Sequence, residues 1–289
     1  MPNLLATPTE IKAALPNAIR AATTAYDAVL TRLAGEVSRY VENHCHRVFY
    51  PALATRYFRG SGGRWQRVDD LLTITSVSIS TDDGLTYTAL AADDYFATVE
   101  GDANSPKSYT HLELAENGDY TYWPKGAKAV KVVGVWAYTD DRATCWEDSL
   151  DTVENNPLTS GGTSVTVNDD DGADLWGVTP RFAAGQLARI ESEYVEVTAA
   201  ATNALTVVRG RNGTTAAQHA QNTTIELWRP PEPVKQAVIV QITRGFARAL
   251  QGFGDARAVP EMGELIWTRS LDPDVQTKLA HYVAEPVHA

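Results

Sequence analysis

Ala129-Val130-Lys131-Val132-Val133-Gly134-Val135-Trp136-Ala137-Tyr138 is the stretch that decides the fold. Valines and two aromatic rings with a single charge describe a strand inside a sheet, because such side chains fit a pleated, half-buried surface. Upstream, the same period of two recurs. Ala54 to Phe58 reads as a strand, and Arg59-Gly60-Ser61-Gly62-Gly63 as the turn after it. Leu72, Ile74, Val77 and Ile79 mark another strand, and Asp82-Asp83-Gly84 a hairpin turn. Tyr87 to Leu90, Tyr95 to Val99 and His111 to Leu114 are further short strands.

Helices flank this block. Thr7-Pro8-Thr9-Glu10 is a capping box with proline at the first helical position, predicting a helix to about Leu15, stopped by Pro16. From near Thr24, Tyr26, Val29, Leu30, Leu33, Val37, Tyr40 and Val41 make one apolar helical face. After the stiff Arg229-Pro230-Pro231-Glu232-Pro233, a second stripe runs from Val234 through Ala237, Val238, Ile242 and Phe246 to Leu250, with Gly252 and Gly254 ending it. Residues 255–270 read as irregular, and Asp272-Pro273 opens a last short helix.

The polar stretch 139–156 reads as a linker. Beyond it, Ser164 to Val167, Leu187 to Ile190, Tyr194 to Thr198, Leu205 to Val208 and Thr224 to Trp228 are short strands separated by Gly, Asn and Asp. The expected class is α+β: a helical host domain with an antiparallel strand block, made of 1–156 and 229–289, carrying an inserted all-β module at 157–228.

Charge narrows the partners. The chain has 289 residues and net charge −11. Residues 1–156 hold 14 basic against 21 acidic groups, 157–228 hold 4 against 8, and 229–289 hold 7 against 7. A protein that grips nucleic acid needs clustered Lys and Arg, and no segment has that excess. Nor is there the run of ~18 apolar residues that a spanning helix needs, or the basic, apolar start of a signal peptide. The expectation is a protein made in a cytoplasm.

Catalytic signatures are missing. No phosphate loop, paired-histidine zinc motif or nucleophile elbow occurs, so no catalytic, cofactor or metal residue is assigned. Two features invite a metal. Cys45 lies between His44 and His46, but neighbours on a helix point apart and no second cluster completes a set. Asn168-Asp169-Asp170-Asp171-Gly172 with Asp174 offers oxygen ligands for calcium without EF-hand spacing, and an acidic hairpin loop is the simpler reading.

Several segments, in order, resemble the head–tail connector proteins of tailed bacteriophages. They are His46-Arg47-Val48-Phe49 ending the long helix, Tyr57-Phe58-Arg59-Gly60, Leu71 to Val77, Trp123-Pro124-Lys125-Gly126 feeding Val130, Val132 and Val133, and Pro231 to Ala237 opening the later helix. The matches cover most of 1–140 and 229–250. The insert is similar to a small β module of phage virion proteins, through Gly185, Leu187, Arg189-Ile190, Glu193 to Val197, Leu205, Arg209-Gly210-Arg211-Asn212-Gly213-Thr214 and His219. Here Gly210 and Gly213 permit a tight turn, and Arg209 and Glu193 are placed to pair across strands.

The resemblance implies a structural virion protein at the head–tail junction. It would form a ring of its own copies, dodecameric in the family, between the portal protein and a stopper or tail-completion protein. Genomic DNA would pass through without specific binding, and no membrane, cofactor or enzymatic step is implied. Family C-terminal segments engage the portal, which puts that role on 255–289 and makes Leu271, Leu279 and Tyr282 candidate portal or oligomer contacts. Two other readings stay open: another tail-completion or baseplate part, and a glycan-binding β module using Trp176, Tyr194 and Trp228.

Overall fold

The computed structural model describes residues 3–15, 26–100, 102, 104–250, 256–259, 264–267 and 271–284. Sheets dominate it. Two six-stranded antiparallel sheets hold more residues than the four α-helices among the described residues. The expected helical host domain is therefore corrected: the host is built on a sheet with its own core, and the helices gather in a second core that meets the sheet at Leu72 and the segment after β6. A long apolar helix stripe advertises itself in sequence more loudly than short strands do.

The first sheet has the order β1 (Ala52–Gly60), β6 (Gly126–Trp136), β2 (Trp65–Ile79), β5 (Tyr109–Leu114), β4 (Tyr95–Thr98), with β3 (Thr88–Ala89) beside β2. The valine-rich stretch is the inner strand β6, flanked by β1 and β2, as its composition predicts. β2 spans 15 residues and changes neighbours along its length, with Leu71 opposite both Tyr109 and Trp136. Its core side gathers Leu71, Val77, Leu112, Leu114, Trp123, Val130, Val132 and Trp136. The Asp82-Asp83-Gly84 turn holds the β2–β3 hairpin, with Asp82 accepting from Ser80 and from the backbone N–H of Leu85 and Thr86.

The second sheet has the order β7 (Trp146–Thr152), β12 (Thr224–Trp228), β9 (Leu187–Ile190), β10 (Glu193–Ala201), β11 (Ala204–Val208), β8 (Ser164–Thr166). Glu154 N–H, just past β7, donates to the Thr166 carbonyl of β8 at 2.8 Å, so the sheet's two edges meet. Its interior is a separate core of Val153, Val165, Ile190, Val195, Val197, Leu205, Val207, Ile225 and Leu227. The stretch 139–156 is not simply a linker: residues 146–152 form β7, ahead of the boundary expected at 157.

The helices are α1 (Pro8–Ala14), α2 (Asp27–Cys45), α3 (Glu232–Leu250) and α4 (Pro273–Leu279), with a 3-10 turn at Ala280–Tyr282. Both halves of the Thr7/Glu10 capping box are present. One core joins Ile11, Leu30, Val41, Val238, Ile242, Val275 and Leu279 to Phe49 and Tyr138 of the first unit and to Leu187, Tyr194 and Trp228 of the second. Residues 256–259 and 264–267 pair as antiparallel strands, where irregular chain is expected. Pro16, Thr24, Gly252 and Gly254 lie outside the described residues.

Candidate functional site: the joint around Glu193 and the surfaces beside it

Glu193 opens β10 and is fully buried. A lone carboxylate there would be costly; this one is saturated. Arg209 reaches it twice, Nε to Oε1 at 2.7 Å and Nη2 to Oε2 at 2.7 Å. Gly210 N–H donates to Oε1 at 2.9 Å, Ala217 N–H to Oε2 at 2.9 Å, and His219 Nε2 lies 2.9 Å from Oε2. Burial pushes its pKa up, but the Arg209, Ala217, His219 and Gly210 bonds prevail and hold it at about 2. With no site left for a proton or a substrate, the group acts as a clamp. His219 carries Glu191 on its other nitrogen at 2.7 Å.

The clamp fixes the 209–214 turn against the first sheet. Gly210 and Gly213 have φ of +61° and +86°, as the sequence asks. Asn212 between them accepts from Leu53 N–H at 2.8 Å and donates from Nδ2 to the Pro51 carbonyl at 2.9 Å. Gly213 lies so close that a Cβ would stand 2.0 Å from the Leu53 carbonyl oxygen. The four insert residues, Glu193, Arg209, Gly210 and Gly213, are thus brought together, at a joint between the sheets.

A second clamp is invisible in the sequence. Arg229 binds both Glu147 of β7 and Asp174, the latter at 2.7 Å. Asp174 also accepts from the N–H groups of Trp176 and Val178 at 3.0 and 2.8 Å. Arg181 holds Asp151 at 3.2 Å, and Asp151 in turn accepts from Asn168 and Asp169 N–H. The acidic loop 168–174 is therefore organised by arginines and backbone amides. Among the described residues no group of three His, Cys, Asp or Glu side chains gathers as metal ligands. Cys45 and Cys145 are buried free thiols, each pushed up to about 11 by burial.

The other candidates separate. Leu271, Leu279 and Tyr282 are buried in the helical core and offer no surface to a partner in this chain. The resemblance puts them at a contact surface; the short helix α4 instead turns Leu279 and Val275 into the core together with Leu271 and Tyr282. Of the three aromatics, Tyr194 and Trp228 are core, Trp228 Nε1 donating to the Phe49 carbonyl at 2.9 Å. Only Trp176 is exposed, at 78%.

Between the end of α2 and the first half of β2 lies a cleft of about 540 Å³. Its wall pairs Arg47 with Asp70 and Arg56 with Asp69, the latter at 2.6 Å. The Arg47 guanidinium lies 4.2 Å over the Tyr138 ring, and that of Arg56 lies 4.6 Å over Trp136. Burial raises the Asp70 pKa against the pull of Arg47. Asp69-Asp70 within a charged run gave no hint of a cleft. No helix among the described residues is long and apolar enough to cross a membrane. No family model matches the chain, and no curated protein matches it.

Proposed function

We propose that the chain is a structural subunit of the head–tail junction of a tailed phage, an adaptor whose ring sits between the portal and the tail or stopper proteins. One observation carries the reading. Two of the connector-like segments, far apart in sequence, are packed on each other. Trp123 N–H donates to the Gly63 carbonyl at 2.8 Å and its indole Nε1 to the Arg64 carbonyl at 3.0 Å. Gly60 meets the Pro124 carbonyl so closely that a Cβ would lie 1.6 Å from it. The glycine turn and the tryptophan-proline turn make one unit, which gives their joint occurrence in the sequence a physical reason. The remaining segments fall at the end of α2, in β2 and at the start of α3.

In this reading the saturated Glu193 joint keeps the β module at a fixed angle to the host, and no catalytic step is involved. Immunogold labelling of intact particles tests it. Label at the head–tail vertex supports the proposal, and label on the capsid shell, baseplate or fibres contradicts it.

A further inference from the structure

The two six-stranded sheets end differently. The second closes at Glu154 and Thr166. The first stays open: β1 pairs only with β6, and β4 only with β5. An open edge carries unmet backbone N–H and C=O groups, which another strand satisfies. At the start of β1 the Leu53 N–H is already bound to the Asn212 carbonyl, which leaves 55–59 as the free length. Each step from β1 through β6, β2 and β5 to β4 is antiparallel, so the two edge strands run in the same direction.

These edges carry opposite charge on the face turned away from the sheet's core, where Val130, Val132, Leu112 and Leu114 lie on the other side. On β1, Tyr57 is 50% exposed, and Arg59 follows it on the same face. Lys131 stands opposite Tyr57 in β6, its ammonium 4.5 Å from the Tyr87 ring, and Lys128 reaches to 6.0 Å from the Tyr57 ring. Asp82 and Asp83, in the hairpin turn, accept from Ser80, Thr86 and the Ala127 N–H. On β4, Phe96 is 46% exposed and stands opposite Glu113. Asp93 and Glu100 flank this strand and Glu116 follows β5, all three exposed. Among the described residues no ion pair reaches Arg59, Lys128 or Lys131, and none reaches Asp93, Glu100, Glu113 or Glu116.

We infer that β4 of one copy pairs with β1 of a second copy, Phe96 beside Tyr57 and Glu113 beside Lys131, so that the host sheet continues from chain to chain. A copy placed beside the first without being turned over brings these strands together as a parallel pair. A two-fold contact would instead set β1 on β1 or β4 on β4, like charge against like charge. The basic edge calls for an acidic strand and the acidic edge for a basic one, and one chain supplies both. Such head-to-tail repetition closes into a ring when the rotation allows. The inference rests on the adaptor reading for that closure, and deepens it by naming the contact between ring neighbours.

The test is disulfide trapping between two full-length variants, Tyr57→Cys and Phe96→Cys, mixed at high concentration under mild oxidation. Both positions are on the surface, and the native thiols are buried, so unmodified protein reports the background. A third variant, Leu85→Cys, supplies a control partner at a position 85% exposed. The Tyr57–Phe96 mixture should give covalent heterodimer about fivefold above the Phe96–Leu85 mixture, the scale of one favourable cross-strand pair. Adding Glu113→Lys to the Phe96→Cys chain should remove that excess, and adding Lys131→Glu to the Tyr57→Cys chain should then restore it. Equal yields overturn the inference. So do an excess that survives the single charge reversal, no recovery in the doubly reversed mixture, or a predominance of Tyr57–Tyr57 dimers, which would mean a symmetric contact. The two proposals fail separately. A portal-bound ring without the link removes this contact and leaves the adaptor. The link without any binding to portal does the reverse.

Discussion

Gly60 and Pro124 stand backbone against backbone, with the position of a Gly60 Cβ only 1.6 Å from the Pro124 carbonyl oxygen. The β1–β2 turn and the approach to β6 are locked by that contact and by the two Trp123 bonds to residues 63 and 64. Replacing Gly60 with alanine forces one backbone to move. The expected loss is about 3 kcal/mol, the upper range for overpacking, read as a lowered urea midpoint with unchanged slope. Stability equal to the unmodified protein would show that the turn yields freely.

Glu193 predicts a pH dependence. Its carboxyl has an ordinary value of 4.5 and is held at about 2 in the folded protein. Between these values the unfolded chain binds more protons than the folded one. The stabilisation is therefore complete above about 4.5 and is lost as the pH falls through 2, amounting to on the order of 3 kcal/mol. Glu42 and Asp70, raised by burial, run the other way, so the comparison must be with Glu193→Gln. That variant should be destabilised at pH 7, with the gap to the unmodified protein narrowing below pH 4.5. A gap independent of pH would show that the lost contact is not a carboxylate clamp.

The C-terminal segment belongs to the fold. Leu279 has no exposed surface, and Leu271, Val275 and Tyr282 share its core with α2 and α3. Leu279→Ala should cost about 3 kcal/mol, and removal of 271–284 should abolish cooperative unfolding. A cleanly folded truncation would return this segment to the role of a detachable portal tail. Likewise, replacing 158–228 with a short linker removes Leu187, Tyr194 and Trp228 from the shared core and leaves β7 without its partner β12.

What the sequence made legible follows the side chains. β6 was readable because valines and Trp136 announce a buried strand, and α2 and α3 because their apolar faces keep helical spacing. β7 was not, because its inward residues are Glu147, Ser149 and Asp151 while Leu150 points out. Alternation runs backwards there, satisfied by Arg229 and Arg181, which lie far along the chain. The first half of β2 was hidden in the same way by inward Gln66, whose side chain accepts from Ser61 N–H and donates to the Arg59 carbonyl. The Glu193–Arg209 pair was readable from its residue types, but its docking onto Leu53 depends on a contact 160 positions away.

Charge gives a further expectation. With a net charge of −11 and no basic segment, the chain should retain no duplex DNA in a mobility-shift assay at physiological salt. Salt-sensitive binding in the ~10⁻⁸ M range of specific DNA-binding proteins would mean that a surface grips the genome instead of letting it pass.

The most direct test of the adaptor reading is to mix the purified chain with the portal ring from the same particle and image the product. The expected product is a closed ring of twelve copies, as in the family the chain resembles, docked coaxially on one face of the portal. Failure to bind the portal, or a threefold or sixfold assembly attached to the tail tip, would contradict it.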